Sequence, residues 1–355
     1  MKIAFVISSI RGGGAEQALA RISSGLAERG HSIYIYLLKR TDDEYPISNK
    51  VKVSVYGDSK KSAFIGKIKR IRNLNKLMKE NEIDIVVPFS PIPAEDAYFA
   101  SFGLKTKFIN TVRNNPWVYP DSKWERMRRD LFVKKADFCV FQTEEQRKYF
   151  EKYDIKSQII YNPVAEEFLS VNREYKAVRR IVTLGRLESQ KNHAMLINAF
   201  ALSNNDNLVL EIYGEGSEKA NLENLIRRLG MKEKVLLKGR TNNPIDVLSK
   251  ADLFVLSSDY EGMPNALIEA MATGLPCIST DCPTGPAQLI QTGTNGILVP
   301  VNNIDEMKNA IDSVVFDPLK AQEIGENARS TISKWCSLEN ILDSWQDVFD
   351  SILSN

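Results

Sequence analysis

The chain has 355 residues, carries 47 Lys and Arg against 45 Asp and Glu, and is 43% hydrophobic. Its length exceeds what one hydrophobic core usually supports, and its ordinary composition excludes a disordered or low-complexity protein. No apolar run approaches the roughly 18 residues of a membrane-spanning helix, and the cysteines include no C-x-x-C pair. We therefore expect a cytoplasmic protein of two domains that holds no metal.

The first half of the chain alternates strand and helix patterns, as α/β domains do. The predicted elements are a strand at residues 2–8, a glycine loop at 10–14, a helix at 15–29, and strands at 33–38, 83–89, 107–112 and 138–142. The pattern breaks at Tyr161-Asn162-Pro163. A first domain is therefore predicted over residues 1–163.

The second half repeats this alternation after a polar stretch that ends near residue 176. Strands are predicted at residues 180–184, 208–213, 235–238, 253–257, 276–280 and 296–299. The second domain is predicted over residues 164–336, and a terminal helix follows in residues 337–355. This helix carries one apolar stripe, formed by Ile341, Leu342, Trp345, Val348, Phe349 and Ile352.

Charge is divided unevenly between the two halves. Residues 1–160 hold 29 basic and 19 acidic residues, whereas the remainder holds 18 and 26. Two segments, 60–80 and 123–135, combine basic residues with apolar residues at helical spacing. Their apolar stripes either face the domain core, or contact anionic lipid headgroups or a polyprenyl-diphosphate acceptor. Nucleic acid is the weaker alternative, because no recognisable binding module accompanies the charge.

The run from Ser257 to Pro276 places two carboxylates around a loop-to-helix junction. Glu261 lies in a predicted turn, and Glu269 lies in a predicted helix at residues 265–273, which Gly274 ends. A helix start offers unpaired N–H groups and a positive dipole end, so a phosphate can bind there. The two carboxylates can accept hydroxyl hydrogens on either side, which suits a nucleotide-sugar.

This E-x7-E pattern resembles the donor site of retaining glycosyltransferases of the GT-B fold, family GT4 (glycosyl transferases group 1). The resemblance extends over nearly the whole chain and is close to bacterial enzymes that build lipid-linked oligosaccharides and polysaccharides. The other matching motifs are Gly12-Gly13-Gly14-Ala15-Glu16, Leu184-Gly185-Arg186-Leu187, Lys191-Asn192-His193, Tyr213-Gly214-Glu215-Gly216 and Leu237-Lys238-Gly239-Arg240.

The resemblance implies two Rossmann-like, doubly wound domains that face a cleft, with the terminal helix packing back on the first domain. It assigns Arg186 and Lys191 to the donor diphosphate, Glu261 to donor-sugar hydroxyls and Glu269 to the ribose. Arg186, Lys191 and Glu261 are the implied catalytic residues. Further donor contacts are implied for Gly13, Gly14, Gly185, Gly239, Arg240, Gly262, Met263, Pro264 and Asn265.

The sequence also departs from this family in its acceptor-side loops. Many relatives carry a histidine there, but here Arg113 follows a predicted strand in Thr111-Val112-Arg113-Asn114-Asn115-Pro116. This loop is similar to an Arg-x-x-Pro loop of relatives that extend lipid-linked oligosaccharides, so Arg113 is a candidate for contacting donor or acceptor. In Cys282-Pro283-Thr284-Gly285-Pro286-Ala287-Gln288, Gln288 stands where an acidic residue is more usual.

Three other functions remain open at this stage. A dinucleotide-dependent dehydrogenase is disfavoured because Gln17 replaces the third glycine of G-x-G-x-x-G, and Lys39-Arg40 replaces an acidic residue at the end of the second strand. A sugar-nucleotide epimerase of the same fold would need general acids and bases, and histidines are scarce. A non-catalytic nucleotide-sugar sensor is the alternative of a different class.

The resemblance thus implies a retaining hexosyltransferase that needs no metal and takes its sugar from a nucleotide-sugar donor, with UDP as the implied carrier. The implied acceptor is a glycan on a polyprenyl diphosphate, used in assembling bacterial surface polysaccharides or glycans. The enzyme is expected to bind peripherally to the anionic inner face of the cell membrane, and no nucleic-acid partner is expected.

Overall fold

The computed structural model describes residues 1–57, 63–203 and 207–354. The chain divides into two compact units. The first unit comprises Met1–Pro163 with Leu338–Asn355, and the second comprises Val164–Ser337. The second boundary lies one residue beyond the position predicted from the sequence.

The first unit contains a sheet of seven parallel strands, ordered β3-β2-β1-β4-β5-β6-β7. The strands are β1 (Lys2–Ile7), β2 (Ser32–Leu37), β3 (Lys52–Val55), β4 (Ile85–Pro88), β5 (Lys107–Val112), β6 (Phe138–Phe141) and β7 (Ser157–Ile159). Most central strands are continuous apolar runs because helices bury both faces of a parallel sheet. The described helices are α1 (Gly14–Glu28), α2 (Ala63–Glu80), α3 (Pro91–Ala100), α4 (Lys123–Lys134) and α5 (Glu144–Phe150).

The second unit contains six parallel strands, ordered β10-β9-β8-β11-β12-β13. The strands are β8 (Arg180–Leu184), β9 (Val209–Tyr213), β10 (Val235–Gly239), β11 (Leu253–Leu256), β12 (Cys277–Thr280) and β13 (Ile297–Val299). The helices are α6 (Glu166–Leu169), α7 (His193–Ala201), α8 (Lys219–Arg228), α9 (Pro244–Ser249), α10 (Asn265–Ala272), α11 (Pro286–Leu289), α12 (Ile304–Val315) and α13 (Pro318–Cys336).

The last helix, α14 (Leu338–Leu353), belongs to the first unit although it follows the second in sequence. Its Trp345 is fully buried, and its ring centroid lies 6.2 Å from that of Phe5 and 6.3 Å from that of Phe89. Arg29 at the end of α1 also donates to Asp343 at 2.7 Å. The apolar stripe predicted for this helix thus completes the core of the first unit.

None of the helices in the described ranges combines the length and the apolar character that crossing a membrane requires.

Candidate functional site

All six strands of the second unit end at one edge of its sheet, because they are parallel. The strand order reverses between β8 and β11, and ligands of open α/β sheets bind at such a reversal, beside the carboxyl ends of the strands. The loop after β8 carries Arg186 and Lys191, and the loop after β11 carries Glu261. The predicted donor residues therefore flank the reversal point.

Lys191 and Glu261 form a direct ion pair across this reversal point. The Lys191 Nζ lies 2.5 Å from the Glu261 Oε1, and the two side chains are only 15% and 7% exposed. Ser258 donates its hydroxyl hydrogen to the same carboxylate oxygen at 2.6 Å. The cation that the resemblance assigns to the diphosphate is thus paired with the carboxylate that it assigns to the sugar.

Three residues to which the sequence analysis assigned no individual role connect the loop after β8 to the loop after β11 by hydrogen bonds. Asn192 adopts a left-handed backbone with φ of 43° and caps α7. Its Nδ2 donates to Asp259 Oδ1 at 2.8 Å. Gln190 Nε2 donates to the Tyr260 carbonyl at 2.8 Å, and the Asp259 N–H donates to the Gln190 carbonyl at 2.9 Å. These bonds set the positions of Lys191 and Glu261 relative to each other.

The loop after β12 braces the Glu261 turn from the other side. Thr284 donates its hydroxyl hydrogen to the Glu261 carbonyl. Gly285 has φ of +87°, and a Cβ there would clash with the Gly262 carbonyl and lie 2.7 Å from Pro264 Cδ. A glycine is therefore required at this position, both for the backbone conformation and for the close approach of the two loops.

Arg186 is exposed, and its Nη2 lies 3.4 Å from Gln190 Oε1. Its backbone carbonyl lies 3.3 Å from the Nε2 of His193. Burial lowers the pKa of His193 to about 4, so the imidazole is neutral near pH 7. A neutral ring can donate from Nε2 to the Arg186 carbonyl. His193 thus supports the loop that carries Arg186.

The glycines that follow β8 and β9 and the glycine that ends β10 belong to one hydrogen-bonded layer at the same sheet edge. The Gly185 N–H donates to the Tyr213 carbonyl at 3.0 Å, and the Gly214 N–H donates to the Gly239 carbonyl at 2.9 Å. A Cβ on Gly214 would clash with the Gly185 carbonyl, which explains the glycine there. Arg240 follows this layer and is exposed.

Glu269 lies in the second turn of α10 and is only 6% exposed, unlike a solvated helical glutamate. Met263 and Pro264, in the loop before α10, are also buried, and Asn265 is the first residue of the helix. The first turn of α10 presents backbone N–H groups and the positive end of the helix dipole.

The remaining predicted residues lie in the first unit. Gly13 is the N-cap of α1, and Gly14 is its first residue, at the end of the loop that follows β1. The Glu16 carboxylate occupies the space where a Gly13 side chain would lie. Arg113 follows β5 and is 7% exposed. Its Nη1 donates to Asn162 Oδ1 at 3.0 Å.

Within the residues that the structure describes, no group of three His, Cys, Asp or Glu side chains is arranged to hold a metal ion.

Two family models together match almost the entire chain. Residues 164–331 match glycosyl transferases group 1, and residues 12–168 match glycosyltransferase family 4. A Campylobacter jejuni protein is 26% identical over 97% of each chain and is named GalNAc-alpha-(1->4)-GalNAc-alpha-(1->3)-diNAcBac-PP-undecaprenol alpha-1,4-N-acetyl-D-galactosaminyltransferase. Another from the same bacterium, N-acetylgalactosamine-N,N'-diacetylbacillosaminyl-diphospho-undecaprenol 4-alpha-N-acetylgalactosaminyltransferase, is 31% identical over 73% of this chain and 74% of its own.

The fold also matches solved structures. The structure of HepE from Anabaena in complex with UDP aligns with a TM-score of 0.84 at 18% identity, covering 99% of this chain and all of the other. The lipopolysaccharide outer core galactosyltransferase WaaB aligns with a TM-score of 0.80 at 22% identity, covering 99% of each chain.

Proposed function

This chain belongs to the glycosyl transferases of group 1, and we propose that it transfers a sugar from a nucleotide-sugar to a glycan, with retention of configuration and without a metal. The observation that carries this proposal is the Lys191–Glu261 pair at the reversal point of the second sheet. It brings a cation suited to phosphate and a carboxylate suited to hydroxyl groups into contact.

The chemistry follows from where charge develops. Cleaving the bond between the anomeric carbon and the nucleoside diphosphate builds negative charge on the leaving phosphate. Lys191 and Arg186 stabilise that charge, which is the role of preorganised cations in a transition state. The leaving phosphate then accepts the proton of the incoming hydroxyl on the same face, so no protein nucleophile takes part. Glu261 accepts hydrogen bonds from donor-sugar hydroxyls.

The donor is proposed to be a UDP-hexose or UDP-N-acetylhexosamine. HepE from Anabaena, which shares this fold, has been crystallised with UDP and with UDP-glucose. The acceptor is proposed to be a glycan on a polyprenyl diphosphate, since both Campylobacter relatives are named for undecaprenol-linked substrates. Glycan assembly at the inner face of a bacterial membrane is the proposed setting.

A panel of nucleotide-sugars tests this function. The purified protein is expected to hydrolyse one UDP-sugar slowly without an acceptor, to be stabilised thermally by UDP, and to keep its rate in EDTA. A thermal shift without hydrolysis would favour a sensor, and an epimerised sugar would favour an epimerase. Activity that is lost in EDTA and restored by Mn²⁺ would contradict the metal-independent mechanism.

The two basic segments face different surroundings. In α2, Leu74 and Met78 are fully buried, and Lys67 and Arg70 pair with acidic residues of α3 at 2.7 and 2.6 Å. Residues 58–62, which include the beginning of this segment, lie outside the described residues. The part of the α2 stripe formed by Leu74 and Met78 therefore faces the core, and two of the α2 cations are engaged in ion pairs. Its charge is a weak basis for membrane binding.

Helix α4 has the opposite arrangement. Trp124, Met127 and Leu131 lie along one side at helical spacing and are 75%, 62% and 50% exposed. Lys134 and Lys135 at its end are also exposed. An exposed apolar stripe beside cations suits the interface of an anionic bilayer, where apolar burial and charge attraction act together. We propose α4 as the membrane-contacting helix.

Vesicle co-sedimentation tests this surface. Replacing Trp124, Met127 and Leu131 together by serine is expected to weaken binding to anionic vesicles at least tenfold, because the apolar contribution is lost. The control replaces by serine Phe316 and Leu319 of the second unit, whose side chains are 62% and 80% exposed. This control variant is expected to bind vesicles as the wild type does. If the wild-type protein does not co-sediment with anionic vesicles at low salt, the proposal is contradicted.

A further inference from the structure

Arg113 is a buried cation with unused hydrogen-bond donors. Its Nε and Nη2 are buried and have no hydrogen-bond partner among the described residues. Burial, without any compensating carboxylate, lowers its pKa to about 9. The guanidinium therefore remains protonated near pH 7, although a buried unpaired charge is costly. Arg129 is equally buried, but it donates to Asp130 and to backbone carbonyls of the same unit.

The unused donors of Arg113 have a specific geometry. Nε and Nη2 lie on one edge of the planar guanidinium, and this edge matches two oxygens of a carboxylate or phosphate. The remaining donor group, Nη1, is held by Asn162, and the face of the guanidinium lies 4.1 Å from the ring centroid of Phe89. Gln142 Nε2 donates to the same Asn162 oxygen at 2.6 Å. The guanidinium is thus held from one side while its bidentate edge stays available.

A second unsatisfied group lines the same cavity. Ser90 is the N-cap of α3, and its buried hydroxyl oxygen has no hydrogen-bond partner within the described part of the chain. Ser90 and Arg113 both line a cavity of about 20 Å³ at the carboxyl ends of β4 and β5. The positive end of the ten-residue helix α3 lies at this cavity. An arginine edge, a hydroxyl and a helix N-terminus therefore converge there.

A larger cavity adjoins this small one. A cavity of about 360 Å³ shares Ser90, Pro91, Tyr119 and Arg129 with it. The small cavity holds about one water molecule, so only the oxygens of a ligand fit there. The larger cavity is also lined by Glu16, Glu95, Asp121 and Glu125, whose carboxylates suit sugar hydroxyls, and by Arg128, which pairs with Glu95.

We infer that Arg113 and Ser90 form an anion subsite that binds two oxygens of a phosphate or carboxylate group on a substrate entering through the larger cavity. The subsite stands on contacts within the first unit, whereas the identity of the substrate rests on the proposed glycosyl transfer. The two sources of such a group are the diphosphate of the donor or lipid carrier, and the carboxylate of an acidic sugar.

Binding of inorganic pyrophosphate and of glucuronate tests the subsite by calorimetry. The measurements use a Lys191→Met, Glu261→Gln background, which removes both charges of the buried pair, so that the second unit contributes less. Arg113→Gln and Arg113→Lys are each expected to weaken the binding of one of the two probes at least tenfold. Both variants remove the bidentate edge, and the lysine variant does so while keeping the positive charge. Weaker binding of pyrophosphate identifies the natural ligand group as a phosphate, and weaker binding of glucuronate identifies it as the carboxylate of an acidic sugar. If neither probe depends on Arg113, the proposal is overturned, whatever the enzyme's catalytic activity.

Thermal unfolding of the free protein separates a binding role from a structural one. Arg113→Met is expected to raise the midpoint by a few degrees, because it removes an uncompensated buried charge. Arg129→Met, the matched control, is expected to lower it, because it leaves Asp130 and two carbonyls without their donor. A fall in the midpoint for Arg113→Met as large as the fall for Arg129→Met would mean that Arg113 is a structural residue, and would overturn the subsite.

Discussion

Replacing Lys191 by alanine is expected to lower the rate of sugar transfer at least about 100-fold. The ammonium group meets negative charge that develops on the leaving phosphate, and removal of one such preorganised group costs about 3 to 4 kcal/mol in the transition state. Single-turnover kinetics at saturating donor measures this loss. A change of less than tenfold would contradict the role assigned to Lys191.

The buried ion pair makes a second variant necessary. Lys191→Ala leaves the Glu261 carboxylate, only 7% exposed, without its cation, and this can destabilise the fold by itself. The double variant Lys191→Met with Glu261→Gln removes both charges and is expected to unfold near the wild-type temperature while staying inactive. The control, Lys250→Ala, removes an exposed lysine paired with Asp246 and is expected to leave the rate unchanged.

The α/β class was predictable from the alternation of apolar strand patterns with helix patterns, and the family from the E-x7-E motif and the ordered motifs around it. The strands predicted at residues 107–112 and 180–184 occur within the same bounds, and the GT-B fold is confirmed by the structural matches. Two strands were missed, Lys52–Val55 and Ser157–Ile159. Both are short, partly exposed strands at the edges of the first sheet, so neither has the apolar pattern of a central strand.

The sequence predicts the local positions of the candidate site residues, but not which of them pair with one another. The loop position of Glu261 and the helical position of Glu269 follow from local turn and helix signals. The Lys191–Glu261 contact joins residues 70 positions apart, and only the parallel sheet brings the two loops together. The left-handed Asn192 and the Thr284 brace depend on the same tertiary packing.

The contrast between the two amphipathic segments has the same origin. A helical stripe in the sequence shows that one side is apolar, but not which surface of the domain that side meets. In α2, Leu74 and Met78 of the stripe belong to the core, whereas in α4 Phe132 and Val133 fill the core and leave Trp124, Met127 and Leu131 outside. The α4 segment is apolar on more than one side, and that excess is the signal a sequence could have offered.

Nucleotide binding is expected to respond in opposite directions to the two carboxylates of the E-x7-E motif. Glu269→Gln should weaken UDP binding about 10- to 100-fold, because a buried carboxylate proposed to accept from the ribose loses its charge-assisted hydrogen bonds. Glu261→Gln should leave UDP binding unchanged or tighter, since it releases Lys191 for the diphosphate, yet it should strongly impair sugar transfer. Titration calorimetry with UDP measures both effects, with Glu323→Gln on an exposed side of α13 as the control. Equal losses of affinity for the two variants would show that the division of roles between sugar and ribose is wrong.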